Sequence, residues 1–193
     1  MGDGVGRERP ARDRLMTAAA ELFYAHGMAA TGIDAITERA GVARKSLYNN
    51  FASKDDLVLA YIRERHQEWL GLYELRLINA QTSRDRVLAV FDAYIDHAGA
   101  AYIHGFRGCG LLNAAAELPA GAPGRVAVRE HKEQVEAILA AGLAGIADAD
   151  RAAELAEQLA FVLEGAVARA GLEGSVERLV HARAIAASLV DAL

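Results

Sequence analysis

Apolar residues recur along most of this chain at spacings of three and four, the period of a helix that buries one face. From about Arg9 to His26 the apolar face is Leu15, Ala18, Ala19, Leu22 and Phe23. Gly27 ends that segment where a left-handed residue is wanted. Between Thr31 and Lys54 the pattern shortens. Ile33, Ile36 and Ala40 form one stripe, Gly41 supplies a turn, and Val42, Leu47 and Phe51 give the next segment its inner side. Two short helices joined tightly, a helix-turn-helix over about 32–52, are the expectation.

Longer periods follow. Ser53, with an acid three residues on at Asp56, reads as the cap of a helix from Lys54 to about Asn79 carrying Leu57, Tyr61, Trp69, Leu72 and Tyr73. Gln81-Thr82-Ser83 is a polar break, and Ser83 is expected to cap a helix from Arg84 to about Ile103. The glycine-broken stretch His104–Cys109 leads into a helix over Gly110–Leu118, and residues 119–124, PAGAPG, are the clearest loop. Helices are expected over Arg125 to about Ala147, then Arg151–Ala170 behind Asp148, then Val176–Leu193 after a turn at Gly171–Ser175. The sum is an all-α chain of about nine helices. It divides into a three-helix head, 9–53, on a larger helical body, 54–193.

Composition agrees with that reading. Of 193 residues 53% are hydrophobic and only three are proline, so a helical core is affordable and strand-rich folds are disfavoured. The longest wholly apolar run, Ala137–Ala147, is 11 residues, where a membrane span needs about 20. The polar N-terminus lacks the apolar core of a secretion signal. The single cysteine leaves no internal disulfide framework and suits a reducing cytoplasm. Serine-hydrolase, P-loop, zinc-protease and dinucleotide motifs are all missing, so no enzyme, metal or cofactor is expected.

Charge first argues against a nucleic-acid partner, because the chain carries −5. The distribution changes the picture. Residues 1–54 hold eight Lys/Arg against six Asp/Glu, a net +2, and residues 55–193 hold thirteen against twenty, a net −7. A mildly basic head on an acidic body leaves room for DNA at the head. The outer face of the second short helix carries Arg44, Lys45, Ser46, Tyr48, Asn49 and Asn50. Such side chains suit the base edges and phosphates of a major groove. Two cations at a positive helix end oppose the dipole, which makes sense when a polyanion faces them. Asn is a poor helix former, and two in succession fit a surface kept for contact.

The residues resemble the TetR family of bacterial transcriptional regulators. The likeness rests on Ala19-Ala20-x-Leu22-Phe23 ahead of Gly27, Thr31-Gly32-Ile33-x-x-Ile36, Ala40-Gly41-Val42, Leu47-Tyr48, Phe51, and Ser53-Lys54 before Asp56-Leu57. It is close over about residues 9–57 and is one of layout beyond. Three positions depart from the common pattern: Ala43 where a capping Ser is frequent, Thr37 where Ala is frequent, and Ala52 where Pro is frequent. The resemblance implies a ligand-responsive repressor that binds a palindromic operator as a homodimer. Double-stranded DNA and a small-molecule effector are then the partners, and no membrane is involved.

Site residues follow from the same likeness. Arg44, Lys45, Tyr48 and Asn49 would read the groove, Ser46, Lys54 and Thr31 would anchor phosphates, and Asn50 would meet phosphate or base. Trp69, Tyr73, Tyr94, His97, Phe106, Asn113 and Phe161 would line an effector pocket in the body. The last two helices would pair between protomers, with Leu155, Leu159, Val162 and Ala166 as one stripe and Leu172, Val176, Leu179, Val180 and Leu189 as the other. Ala156, Ala160 and Gly165 would allow close approach. Cys109 is either a buried small hydrophobe or a redox sensor. The alternative for the whole chain is a helical small-molecule-binding or scaffolding protein whose head no longer binds DNA.

Overall fold

A computed structural model describes residues 10–100 and 103–193. Among the described residues there are nine helices and no strand: α1 Ala11–His26, α2 Ile33–Ala40, α3 Arg44–Asn50, α4 Lys54–Leu77, α5 Ser83–Ala98, α6 Gly110–Ala116, α7 Pro123–Leu143, α8 Ala149–Glu173 and α9 Glu177–Asp191. The expected start of the first helix at Arg9 lies outside the described residues.

Local chemistry accounts for most boundaries. Gly27 ends α1 at φ 88° and ψ 160°, a positive-φ but extended conformation. A side chain there would also collide with Glu117, whose Oε1 lies 2.8 Å from a built Cβ. Gly41 closes α2 in the left-handed region, as its place in the turn requires. Ser53 caps α4 by accepting from the Asp56 N–H at 3.1 Å.

Several boundaries differ from expectation, among them the end of α7 at Leu143, four residues before Ala147. Thr82 caps α5, one residue before Ser83, because Thr82 and Asp85 form a reciprocal capping box. That helix stops at Ala98, five residues before Ile103. Helix α7 begins at Pro123, since a proline at the first position gives up only an N–H that has no helical partner. Helix α8 runs through Gly171 to Glu173 and closes on a left-handed Gly174. Gly171 is therefore no turn residue: a Cβ there would lie 2.3 Å from the Gly108 amide nitrogen, so glycine permits the α8 backbone to touch the α5–α6 loop.

The buried residues form two cores. One joins α1–α3 through Leu15, Phe23, Ile36, Leu47 and Phe51, and takes in Leu57, Tyr61 and Ile62 of α4 and Leu111 of α6. The other holds α5, α7, α8 and α9 together around Phe91, Leu139, Leu155, Leu159 and Leu179, with Trp69 and Tyr73 of α4. Helix α4, about 36 Å long at 1.5 Å per residue, thus begins in one core and ends in the other. A break in the chain at 53/54 is not a break in packing, because the first two turns of α4 complete the head.

Candidate nucleic-acid interface and effector cavity

Helix α3 has one fully buried side chain, Leu47, with 0% of its surface exposed. That single anchor suffices to fix the helix, because α1 and α2 close over it. Arg44, Lys45, Tyr48, Asn49 and Asn50 are exposed, and Ser46 is half-buried. The Arg44 guanidinium makes an exposed ion pair with Asp34 at 3.1 Å and sits 5.9 Å over the Tyr48 ring. It is held upright yet accessible. Asn50 Nδ2 donates to the Ser46 carbonyl at 2.8 Å, an intrahelical tie that steadies the last turn. No side chain caps α3, as expected with Ala43 at the N-cap.

Two of the expected phosphate anchors sit elsewhere. Thr31 is buried, and its hydroxyl donates to the Gly27 carbonyl at 2.6 Å. It closes the α1–α2 turn and offers no side chain to a phosphate. The Lys54 ammonium donates to the Met28 carbonyl at 2.6 Å, tying the start of α4 to the same turn. Both contacts answer a need of the backbone: the Gly27 and Met28 carbonyls at the end of α1 have no helical N–H to accept from and are paired by these side chains instead.

That turn is also where the body grips the head. Glu117, at the end of α6, accepts from the Met28 and Ala29 amides at 3.0 and 2.6 Å. Arg107, in the α5–α6 loop, donates through its side chain to the Tyr24 and Ala25 carbonyls. The Tyr24 hydroxyl accepts from the Arg107 amide at 2.6 Å and donates to the Gly108 carbonyl at 3.2 Å. The end of α1 is thus held by α4, α6 and the α5–α6 loop.

Beneath this clasp the body contains a small cavity of about 30 Å³ bounded by Arg65, Trp69, Tyr94, His97, Phe106 and His131, among others. Four expected pocket residues meet here: Trp69, Tyr94, His97 and Phe106. Tyr73 stands behind them, stacked on Trp69 with centroids 5.7 Å apart. Asn113 lines a separate, wider cavity of about 620 Å³ at the seam of α1, α6 and α8. Phe161 lines neither. It is 66% exposed on the outer face of α8, because that helix turns Leu159 and Leu163 inward.

Sequence reasoning missed Arg65, His131 and Lys132. Arg65 and Trp69 are spaced i, i+4 and so share a face of α4, a usable signal. Lys132 sits in REHKEQ and looks like any solvated run. In fact its ammonium is in a half-buried ion pair with Glu164 at 2.6 Å, 3.4 Å from the Tyr94 hydroxyl and 3.6 Å from Cys109 Sγ. Burial disfavours that charge, but Tyr94, Cys109 and Glu164 around it hold the ammonium above the ordinary lysine range. Burial, with Lys132 and the neighbouring histidines adding to it, pushes His131 down to about 3. Burial, then Arg65 and Lys132, push His97 down to about 4. Both imidazoles are neutral at physiological pH, and His131 Nδ1 lies 2.8 Å from His66 Nδ1, one donating to the other. Among the described residues no group of three His, Cys, Asp or Glu is placed to hold a metal.

The residues expected to pair two protomers divide by depth. Leu155, Leu159, Leu179 and Ala156 are fully buried within this chain's own core. They are spent on packing α8 and α9 against each other and against α5 and α7. Val162, Ala166, Val176 and Leu189 are half-buried, as is Ala160. The apolar surface left outside is Phe161, Leu172, Val180 and Ile185, with Gly165 open beside it.

Whole-chain likeness decides the family. A TetR-family transcriptional regulator from Streptomyces coelicolor has the same fold with a TM-score of 0.82 and 32% identity, covering 94% of this chain and 96% of that one. The chain belongs to the TetR family. The model of bacterial regulatory proteins of the tetR family matches residues 15–61, the three-helix head with the first two turns of α4. Two curated relatives from Mycolicibacterium smegmatis are each 34% identical, the transcriptional activator FasR over 85 residues and the transcriptional repressor KstR2 over 83. The match spans only 39% and 40% of their lengths. This TetR-family protein is accordingly a transcriptional regulator in class. Among its described residues no helix is long and apolar enough to cross a membrane.

Proposed function

We propose that the protein is an effector-responsive repressor that binds a palindromic operator as a homodimer, with residues 9–53 as its DNA-reading head and 54–193 as its effector and dimerisation body. The observation that carries this is the outer face of α3. Arg44, Lys45, Tyr48, Asn49 and Asn50 are exposed together while Leu47 alone holds the helix down. Arg44 and Lys45, at the N-terminal end, meet base edges; Tyr48 and Asn49 follow along the groove; Ser46 and Asn50 meet phosphates. One head reads a half-site, so two are needed, with centres about 34–36 Å apart or a multiple of that. The outer faces of α8 and α9, with Phe161, Leu172, Val180 and Ile185, supply the surface that brings two chains together.

Regulation runs through the clasp. An effector in the body favours one placement of α4 and α6, and Lys54, Glu117 and Arg107 carry that preference to the end of α1. The effector releases DNA only to the extent that it prefers the non-binding state. Repression supports itself by occupancy of the operator and needs no further surface, which favours it over activation.

The test is a gel shift with the DNA upstream of the protein's own gene, followed by transcription in vitro from that DNA. A retarded band whose affinity falls steeply with salt, and a fall in transcript, are expected. No band at low salt would favour the scaffolding alternative, and a rise in transcript would make the protein an activator.

A further inference from the structure

Arg65 and Trp69, two of the residues that line the 30 Å³ cavity under the clasp, each carry a buried donor that lacks an acceptor. Trp69 is 3% exposed, and its indole Nε1 has no hydrogen-bond partner. Arg65 Nε is buried and unpartnered too, while its Nη2 is held by Glu68. Both are N–H groups that can only donate, and a buried donor left unmet carries a free-energy cost that an acceptor would remove. Arg65 and Lys132 both act against protonation of the neighbouring histidines, and each is paired with one carboxylate, Arg65 with Glu68 and Lys132 with Glu164.

A space of 30 Å³ holds about two water-sized atoms, the size of a carboxylate's oxygens and far less than a whole effector. Two wider cavities adjoin it. The one of about 720 Å³ shares Arg65 and His97 but is rimmed by Glu21, Glu64, Glu68 and Asp96, which repel an anion. The one of about 620 Å³ shares Tyr24, Cys109, Gly110 and Val167, and its walls include Phe23, Met28 and Leu112. Its charged rim is balanced, Arg107 against Glu117.

We propose that this site takes an organic monocarboxylate, whose oxygens accept from Trp69 Nε1 and Arg65 Nε and whose apolar tail lies in the seam cavity between head and body. The inference rests on the effector-responsive reading above and adds the chemical class of the effector. The tail would lie against Met28, the residue whose backbone both Glu117 and Lys54 hold. Occupancy is thereby placed where it alters the clasp.

The chain has a single tryptophan, so its emission reports on this site alone. The full-length protein is titrated with octanoate, decanoate and 4-phenylbutanoate, with the primary amide of each, and with octylamine, reading Trp69 emission and operator retention in parallel. At least one acid is expected to shift the emission saturably and to bind roughly tenfold or more tighter than its amide, the weight of one charge-assisted hydrogen bond. Arg65→Met should bring the acid down to the amide's affinity, and Arg65→Lys should restore part of it; circular dichroism checks that both variants fold. The acid-to-amide ratio on the unchanged protein stands whether or not the variants fold. Equal affinity for acid and amide, or no response to any acid at millimolar concentration, overturns the proposal. If octylamine or an amide releases the operator and the acids do not, the carboxylate site falls and the effector-responsive reading stands. If an acid binds at Trp69 and operator retention is unchanged, the carboxylate site stands and the regulatory reading falls.

Discussion

Helix α3 and the cavity around Trp69 are both made of polar side chains on apolar supports, yet they are built in opposite ways. On α3 seven consecutive residues form a surface with one buried anchor, Leu47, and the polar groups face solvent. Around the cavity the polar groups come from α1, α4, α5 and α7, as far apart in sequence as Tyr24 and His131, and they are gathered round one space. A local surface can be changed residue by residue with little effect on stability. A buried constellation cannot, because each group's protonation and hydrogen bonding depend on the others. In the proposed function the same contrast separates specificity, assigned to α3, from response, assigned to the body.

The sharpest way to break that contrast is to remove the one residue of α3 that is not on its surface. Leu47→Ala should cost about 2–5 kcal/mol and abolish operator binding together with the melting transition of the head, followed by thermal denaturation and gel shift. If DNA binding is lost with stability unchanged, Leu47 is a reading residue and the division between face and support is wrong.

The cavity should respond to pH where α3 does not. His97 and His131 are held down to about 4 and about 3 in the folded protein, against about 6.5 when unfolded. The unfolded chain therefore binds more protons as pH falls below 6.5, and stability is lost from there down to about 4 for His97 and about 3 for His131. The slope approaches about 1.4 kcal/mol per pH unit for each histidine. Urea melts across that range measure it, and His131→Gln should flatten the curve. A slope unchanged by that substitution would mean the imidazole is not held neutral in the cavity.

Smaller effects belong to the exposed face. Arg44→Ala should relax base preference at one operator position by about 1–3 kcal/mol, with stability essentially unchanged because the Asp34 ion pair it loses is solvent-exposed. Competition among single-base operator variants reads the first and a melt reads the second. Uniform weakening across all variants would make Arg44 a phosphate contact. The smallest expected change is a gain: Ala43→Ser supplies the missing N-cap of α3, whose backbone there is already extended at φ −69° and ψ 147°. About 0.5–1 kcal/mol of added stability with unchanged specificity is the outcome, and a loss of stability would show that the serine oxygen cannot reach the α3 amides.

How much of this could be read from residues alone differs between the two regions for the same reason. The Gly41 turn, the Ser53 cap and the solvent face of α3 are set by neighbours within four positions, so local pattern carries them. Thr31 and Lys54 mark where local reading fails inside the head. Each is polar, close in sequence to α3 and suited to a phosphate, but the Gly27 and Met28 carbonyls at the end of α1 claim them. In the body Phe161 and Trp69 look alike in sequence, as aromatic residues on helices. One is 66% exposed and the other 3%, a difference set by which side of its helix the neighbouring elements cover.

The chain by itself determined its all-α fold class, where the helix-turn-helix lies, which residues α3 exposes and which family it belongs with, because caps, turns and a 3.6-residue period act over a few positions. Only the tertiary structure decided that α4 belongs to two cores, that Glu117 and Arg107 tie the body to the end of α1, and that Arg65, Trp69, His97 and His131 share one cavity. Those contacts join residues far apart along the chain, and their partners are chosen by the packing of whole helices, which no short window of sequence contains.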